Sequence, residues 1–135
     1  MSIWNNNNIN GFCVKKVKGK GSQFRYIYSG DFIGNESDGN MNGIGRFLDK
    51  QLDNGSSASY VGMFERGQRH GFGQYKDKET LYVGGWHKDK KLGIGFQKYH
   101  DNSSYFGYWL NGMRDGLGLW LSADGKEVRG EWKND

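Results

Sequence analysis

The sequence predicts an all-β protein, a single-layer antiparallel meander of hairpins, on three observations. The 135 residues include 23 glycines and no proline, and aromatic residues make up 16% of the chain. A motif of aromatic and glycine residues recurs along most of the chain. Turn-forming residues separate the two halves of each motif and also separate neighbouring motifs. Disordered segments are poor in aromatic residues, so this composition favours short strands joined by tight turns.

The repeated unit is a Y-x-G-x-W segment followed, after about six residues, by a G-φ-G segment in which φ is apolar. Full copies begin at Tyr28, Tyr60, Tyr82 and Tyr105, and a half copy begins at Val128. The last four starts are 22 or 23 residues apart. The first copy carries about four extra residues in its turn and about five more before Tyr60. Such a spacing indicates one supersecondary unit per copy.

Each unit contains two predicted strands, because both of its segments alternate with a period of two residues. Turn residues lie between the segments, as at Arg66-Gly67 and Asn111-Gly112, and between copies, as at Asp124-Gly125. Asn-Gly and Asp-Gly pairs adopt positive φ at little cost, as hairpin turns require. No stretch long enough for a helix has a period of about 3.6 residues, and glycine recurs too often for one.

Alternation along the strands places the aromatic rings of the copies on one face. These rings belong to Tyr60, Phe64, Tyr82, Trp86, Tyr105 and Trp109. The glycines of each G-φ-G segment point the same way, so we expect the rings to lie over the bare backbone of neighbouring strands. This packing would stabilise a single sheet that has few aliphatic residues.

The opposite face becomes more apolar toward the C-terminus. We predict partner contacts there at Phe72, Ile94, Phe96, Phe106, Tyr108, Leu117 and Leu119. A single sheet has no second layer to cover this face, and exposed apolar patches beyond a few hundred Å² commonly mark interaction sites. The alternative interpretation is that the sheet curls and that this face becomes its own core. The sequence does not decide between the two.

The stretch from Tyr60 to Gly73, YVGMFERGQRHGFG, resembles the pattern Y-x-G-x-W-x-x-G-x-x-H-G-x-G of MORN repeats (membrane occupation and recognition nexus). The resemblance covers 28–135, with Phe32 and Phe64 where the family has tryptophan. It implies an elongated, twisted sheet of hairpins with a groove along it. The preceding residues, 1–27, form a basic N-terminal segment in which Phe12 to Val17 is a candidate capping strand.

The resemblance also implies a binding module whose partner varies across the family. MORN repeats occur in cytoskeletal and ciliary scaffolds, in membrane-junction proteins, and beside kinase or methyltransferase domains. We therefore predict a non-catalytic scaffold or accessory subunit that binds a helix or an extended segment of a protein partner. We expect a cytoplasmic location, with cytoskeletal and ciliary placements both compatible.

The residue types give no support to catalysis, a metal or a cofactor. The chain has one cysteine and three scattered histidines, whereas a metal site needs several converging ligands. It contains no G-x-x-x-x-G-K-[ST] phosphate loop, and its carboxylates fall mostly in turns. The single cysteine, Cys13, cannot form an intrachain disulfide, which favours a reducing compartment. Neither a signal peptide nor an apolar run of about 18 residues is apparent.

Attachment to an anionic membrane is the alternative function. Residues 1–30 hold five basic residues and no acid, whereas the remainder holds 14 basic and 15 acidic residues, so +5 and −1 give the net +4. The candidate lipid-binding residues are Lys15, Lys16, Lys18, Lys20 and Arg25. Each basic residue near an anionic leaflet contributes about 1 kcal/mol, and stable anchoring needs a second signal. Nucleic-acid binding ranks last, because the basic residues and the rings lie in different parts of the chain.

Overall fold

The structure is a computed structural model that describes residues 9–18, 24–34, 40–49 and 56–135, with side chains at 29, 30, 41–49 and 56–135. Across these residues it contains ten strands and no helix. The strands are β1 Ile9–Lys18, β2 Phe24–Gly34, β3 Asn40–Asp49, β4 Ala58–Glu65, β5 Gln68–Lys76, β6 Thr80–His87, β7 Lys90–Tyr99, β8 Ser104–Leu110, β9 Met113–Leu121 and β10 Glu127–Trp132. The predicted all-β class is confirmed.

All ten strands of the described residues form one sheet in which the spatial order equals the sequence order. Every neighbouring pair is antiparallel, which confirms the predicted meander. β1 pairs with β2, and β2 begins at Phe24, so the predicted boundary at residue 28 falls inside a strand. Each hairpin therefore depends on its sequence neighbours to cover its edges.

A row of paired glycines crosses the sheet from β2 to β10. The glycine of each Y-x-G-x-W segment pairs with the last glycine of the G-φ-G segment on either side. The row consists of Gly30, Gly45, Gly62, Gly73, Gly84, Gly95, Gly107, Gly118 and Gly130. Backbone without side chains thus runs across the middle of the sheet.

Two local features shape each hairpin. In the copies that begin at Tyr60, Tyr82 and Tyr105, the turn holds two consecutive residues with positive φ, such as Asn111 at 50° and Gly112 at 85°, which is the backbone of a type I′ turn. A register shift also follows the glycine of the Y-x-G-x-W segment in each of the four full copies, for example between Gly84 and Trp86. Such β-bulges increase the local twist and re-aim the side chains beside them.

The hydrophobic core consists of the predicted rings, which all lie buried on one face of the sheet. The buried rings are Tyr60, Phe64, Tyr82, Trp86, Tyr105 and Trp109. They pack edge to face both within a repeat and between repeats. Tyr82 lies 5.1 Å from Trp86 and 5.3 Å from Trp109 between ring centroids, at interplanar angles of 85° and 86°. Such pairs contribute about 0.5–1.5 kcal/mol beyond area burial.

The rings of Tyr60, Tyr82 and Tyr105 lie directly over the glycine row, as predicted. A Cβ built on Gly95 would lie 2.4 Å from the hydroxyl oxygen of Tyr82, and one built on Gly73 would lie 2.1 Å from that of Tyr60. The Tyr82 hydroxyl also donates a 2.9 Å hydrogen bond to the carbonyl of Gly85. Equivalent bonds join Tyr60 to Met63 and Tyr105 to Tyr108, so each ring is fixed at its polar end as well.

The opposite face is solvent-exposed, so the interpretation in which it curls into its own core is wrong. Phe72 and Leu117 expose 64% and 67% of their surface there, and Ile44 exposes 68%. The physical reason is that glycines lie on the ring face, where they let large rings approach the backbone closely. We call this exposed face the outer face and the buried one the ring face.

Candidate interaction faces

An apolar row crosses the outer face in the C-terminal half of the sheet. Val83 on β6 pairs with Phe96 on β7, which pairs with Phe106 on β8, which pairs with Leu119 on β9. With strands about 4.8 Å apart, the row is about 14 Å long. Gln74 continues it on one side and Arg129 on the other, so polar residues limit the apolar row at both ends.

A second group of apolar residues flanks this row. Ile94 pairs with Tyr108 across β7 and β8, and these residues expose 53% and 48% of their surface. Leu117 lies beside them on β9. Phe72, on β5, pairs with Gly85, so a residue without a side chain separates it from β7. The structure therefore brings six of the seven predicted contact residues together and leaves Phe72 apart.

Exposed apolar residues at the hairpin end of β8 and β9 extend this group beyond the predicted set. Leu110 and Met113 pair at the hairpin end of β8 and β9. Val128 on β10 is also exposed, but it pairs with Trp120 and therefore lies on the ring face. Leu110 and Met113 flank the predicted turn at Asn111-Gly112 and are not among the predicted contacts. Their alternation with Tyr108 was the signal that would have placed them on the outer face.

A row of cations on the ring face was not predicted. Arg69, Lys91 and Arg114 each lie nine residues after the first tyrosine of their repeat, since 69 − 60, 91 − 82 and 114 − 105 all equal nine. The Arg69 guanidinium lies 4.2 Å from the Trp86 ring centroid. The Lys91 ammonium lies 4.8 Å and 4.7 Å from the rings of Tyr82 and Trp109.

Arg114 completes this row, 5.5 Å from the Tyr105 ring and 5.1 Å from the Trp120 ring. The sequence signal was a basic residue at a fixed position in three copies. A cation over an aromatic face contributes about 0.5–2 kcal/mol, and the aliphatic stem covers the ring. These side chains therefore shield the aromatic core from water as a second layer would.

Each of the two arginines in the row forms an ion pair with its own aspartate. Asp89 accepts hydrogen bonds from the Arg69 Nε at 3.0 Å and from the Arg69 backbone N–H at 2.8 Å. Asp135 accepts a 2.6 Å bond from the Arg114 guanidinium. Each aspartate lies in the copy that follows its arginine, Asp135 in the half copy, so each ion pair joins two neighbouring copies.

The environment of Lys91 differs from that of the two arginines. Its ammonium donates to the side-chain oxygen of Gln97, which is 6% exposed. Within the part of the chain that the structure describes, Lys91 forms no ion pair with a carboxylate. Burial, with a smaller contribution from the charge of Arg69, lowers the pKa of Lys91 to about 8. The ammonium is thus charged at neutral pH and poorly solvated.

A cavity of about 330 Å³ lies on the ring face between the first and second copies. Met41, Phe47, Tyr60, Phe64 and Arg69 are among its lining residues. In the later repeats the position of Phe64 is held by Trp86 and Trp109, whose indole N–H groups donate to the carbonyls of Gly73 and Gly95. The smaller phenylalanine has no N–H donor and fills less of this space than an indole would.

This repeated geometry agrees with a comparison of the chain with models of protein families. A family model described as MORN repeat matches residues 60–78, 82–104 and 105–127. The chain is a MORN-repeat protein. This family is generally involved in protein or membrane interactions and is generally a non-enzymatic module. Each matched segment contains the buried tyrosine, the paired glycines and the ring-face cation described above.

Alsin from several mammals contains a similar stretch. Alsin of Mus musculus and of Homo sapiens are each 36% identical to this chain over 70 residues, and Alsin of Rattus norvegicus is 35% identical over 70 residues. The matched stretch is 47% of this chain and 4% of each relative. The MORN-repeat protein therefore matches only a small part of these curated relatives.

The predicted lipid-binding residues lie before the matched MORN repeats. Lys15, Lys16 and Lys18 belong to β1 and Arg25 to β2, for which the structure describes the backbone, and Lys20 lies outside the described residues. No helix in the described ranges is long and apolar enough to cross a membrane. Among the same residues, no three His, Cys, Asp or Glu side chains are grouped so that they could hold a metal ion.

Proposed function

We propose that this MORN-repeat protein is a non-catalytic scaffold or accessory subunit that binds a protein partner through its outer face. The observation that carries the proposal is the solvent-facing apolar row of Phe96, Phe106 and Leu119, in which Phe106 is 54% exposed and the other two are half-buried. The ring face already supplies the core, so the folding of the sheet does not require these outer side chains. Their exposure is explained by a partner that covers them.

The proposed occupant is an apolar segment of a partner, helical or extended, that lies along the row. Large apolar side chains at the centre with polar residues at the rim resemble the composition of known interfaces. Phe106 and Tyr108 are the expected anchors, because rings dominate interface energetics. A cytoplasmic assembly of the cytoskeleton or cilium is the setting that we propose. Catalytic activity is not part of this function.

The test places a photo-crosslinking amino acid at Tyr108 and compares two outer-face variants in native lysate. Phe106→Asp with Leu119→Asp alters the row, while Ile44→Asp with Val61→Asp makes the same charge change on the outer face of β3 and β4. We expect one set of crosslinked partner peptides, lost in the first variant and retained in the second. Both variants are first checked for an unchanged thermal transition. Equal crosslinking by all three proteins would contradict the proposal.

Attachment to an anionic membrane is the second candidate function, supported by the +5 charge of residues 1–30. Binding of this kind would be weak and sensitive to salt, because it rests on about four or five basic residues. Sedimentation with phosphatidylserine vesicles would test it on the full chain. A Lys15→Gln, Lys16→Gln and Lys18→Gln variant should lose sedimentation, and a variant that sediments like the wild type would sink this candidate.

A further inference from the structure

Equivalent positions of successive hairpins hold a carboxylate beside two of the three ring-face cations. Asp89 and Asp135 each lie seven residues after the start of their copy, since 89 − 82 and 135 − 128 both equal seven. The residue at that position beside Lys91 is Gly112, since 112 − 105 also equals seven. The backbone contact is nevertheless the same, because the N–H groups of Asp89 and Gly112 donate to the carbonyls of Arg69 and Lys91.

The surroundings of Lys91 differ from those of Arg69 and Arg114 in a second way, on the other side of the ammonium. Tyr75 and Trp120 occupy the position 15 residues after the start of their copies, where they contact Arg69 and Arg114, and Gln97 is the equivalent residue beside Lys91. A buried amide in a row of rings costs free energy unless its hydrogen bonds are satisfied. The Lys91 ammonium satisfies one of them, so the two polar residues form a unit in an otherwise aromatic layer.

Because of these two differences from Arg69 and Arg114, the Lys91 ammonium has N–H donors that its contact with Gln97 does not use. The Lys91 ammonium has three N–H donors, and the contact with Gln97 uses one of them. The rings of Tyr82 and Trp109 lie on either side at 4.8 Å and 4.7 Å. A Cβ built on Gly112 meets nothing within 4 Å, so the space that an aspartate side chain occupies beside Arg69 is open beside Lys91.

We propose that Lys91 and Gln97 form a binding site for a carboxylate side chain of an acidic protein segment, which occupies the place that Asp89 and Asp135 take beside Arg69 and Arg114. The neighbouring hairpins define the chemistry, because in both the group beside the cation is a carboxylate. The Lys91 ammonium supplies the charge, and Gln97 fixes its position between the two rings. The site lies on the ring face and does not depend on the proposed function of the outer face.

A substitution that supplies the missing carboxylate from within the chain gives a direct test. Gly112→Asp should occupy the site, and Gly112→Asn is the matched neutral control. The backbone at Gly112 has φ of 85°, and Asp89 adopts φ of 65° at the equivalent position, so a similar hairpin backbone accepts an aspartate. Lys91→Gln removes the cation. All four proteins are compared as full chains after their thermal transitions have been measured.

The probes are a capped oligoglutamate peptide, the matching oligoglutamine peptide and inorganic phosphate. The readout is the NMR signal of the Lys91 Cε carbon during titration. Oligoglutamate should shift this signal in the wild type and in Gly112→Asn, and its affinity should fall by about tenfold or more in Gly112→Asp. Lys91→Gln lacks the Lys91 signal, so its readout is the Trp109 indole signal. Oligoglutamate should not shift this signal in Lys91→Gln. Oligoglutamine should be inert.

A second measurement requires no ligand. The pKa of Lys91 should be higher in Gly112→Asp than in Gly112→Asn, because an adjacent carboxylate favours the charged ammonium. Equal pKa values in the two variants would overturn the proposal, since the carboxylate would then not reach the ammonium. So would equal oligoglutamate affinity in Gly112→Asp and the wild type, or a response to inorganic phosphate at lower concentration than to oligoglutamate.

Discussion

Gly95 illustrates how closely single residues are fitted in this protein. It lies in the glycine row on β7, and the Tyr82 ring lies over its Cα. The glycine and the ring form one packing unit. The ring covers glycine backbone that would otherwise be exposed to solvent and would weaken the strand. The same arrangement holds for Tyr60 over Gly73 and Tyr105 over Gly118. At this scale, substitution of a glycine tests the core as directly as substitution of a ring.

We expect Gly95→Ala to destabilise the fold strongly, by about 1–3 kcal/mol, because the added methyl group would lie 2.4 Å from the Tyr82 hydroxyl oxygen and force the ring to move. Gly130→Ala is the matched control. Gly130 belongs to the same glycine row, and a Cβ there meets nothing within 4 Å. Urea denaturation of both variants makes the comparison, and equal midpoints would show that the rings do not constrain the row.

The charge of Lys91 predicts an unusual pH dependence. Its pKa is about 8 in the folded state, whereas the usual value is 10.5. Between these values the unfolded chain binds more protons than the folded chain, so this residue makes the free energy of unfolding increase as the pH rises from about 8 to 10. Lys91→Met should lack the increase, and Lys98→Met, on the exposed side of the same strand, should retain it.

Thermal melts across this pH range measure the difference between the variants. Burial raises the pKa values of Tyr60 and Tyr75 to about 12, so these residues lower stability only as the pH rises above their usual value of 10. Both variants retain these tyrosines, and their contribution cancels in the comparison. Parallel pH profiles for Lys91→Met and the wild type would show that the buried ammonium carries no such penalty.

At the scale of the hairpin, the protein is a set of nearly equivalent units whose differences are informative. Trp86 and Trp109 donate to glycine carbonyls at 3.3 Å and 3.2 Å, whereas Phe64 has no donor and lies at the cavity between the first two copies. The aliphatic Met41 holds the position of the ring-face cation there, opposite Phe32. Met41 and Phe64 therefore supply neither the ring-face cation nor the indole hydrogen bond that the later copies have.

Phe64→Trp should stabilise the protein, because the indole fills part of the cavity and its N–H faces the carbonyl of Gly45, the equivalent of Gly73 and Gly95. The expected gain is about 1 kcal/mol, or a few degrees in Tm. Phe72→Trp, at an exposed outer-face position, is the control and should change the Tm little. Differential scanning calorimetry provides the measurement, and a lower Tm for Phe64→Trp would show that the cavity does not admit an indole.

At the scale of the whole molecule, the two faces of the sheet differ in their side chains and in their exposure to solvent. The ring face forms the core, which runs through the repeats as a continuous series of edge-to-face pairs from Phe64 to Trp132. The outer face exposes apolar side chains that the core does not need. The two-residue period of the strands thus separates the core from the proposed binding surface.

This separation predicts opposite results for two neighbouring aromatic residues on β8. Trp109→Ala should cost about 3–5 kcal/mol, because the ring is 5% exposed and its indole bond to Gly95 is lost. Phe106→Ala should cost far less, because Phe106 is 54% exposed. Chemical denaturation of both variants provides the test. A larger loss at Phe106 than at Trp109 would mean that the outer face contributes the core.

The sequence by itself determined the strands, their order, the turns and the division of side chains between two faces. It could do so because every one of these features is local: strand alternation has a period of two residues, and each hairpin pairs with its neighbour along the chain. The same logic placed Phe96, Phe106 and Leu119 on one face. Their pairing into a single row followed once the register was known.

The tertiary structure alone decided which face is the core, because both faces carry apolar residues and only the fit of rings over glycines distinguishes them. It also decided what surrounds Arg69, Lys91 and Arg114. A cation in the sequence gives no sign of whether it meets a ring, an amide or a carboxylate. Those contacts depend on residues about 20 positions away, brought into place by the pairing of successive hairpins.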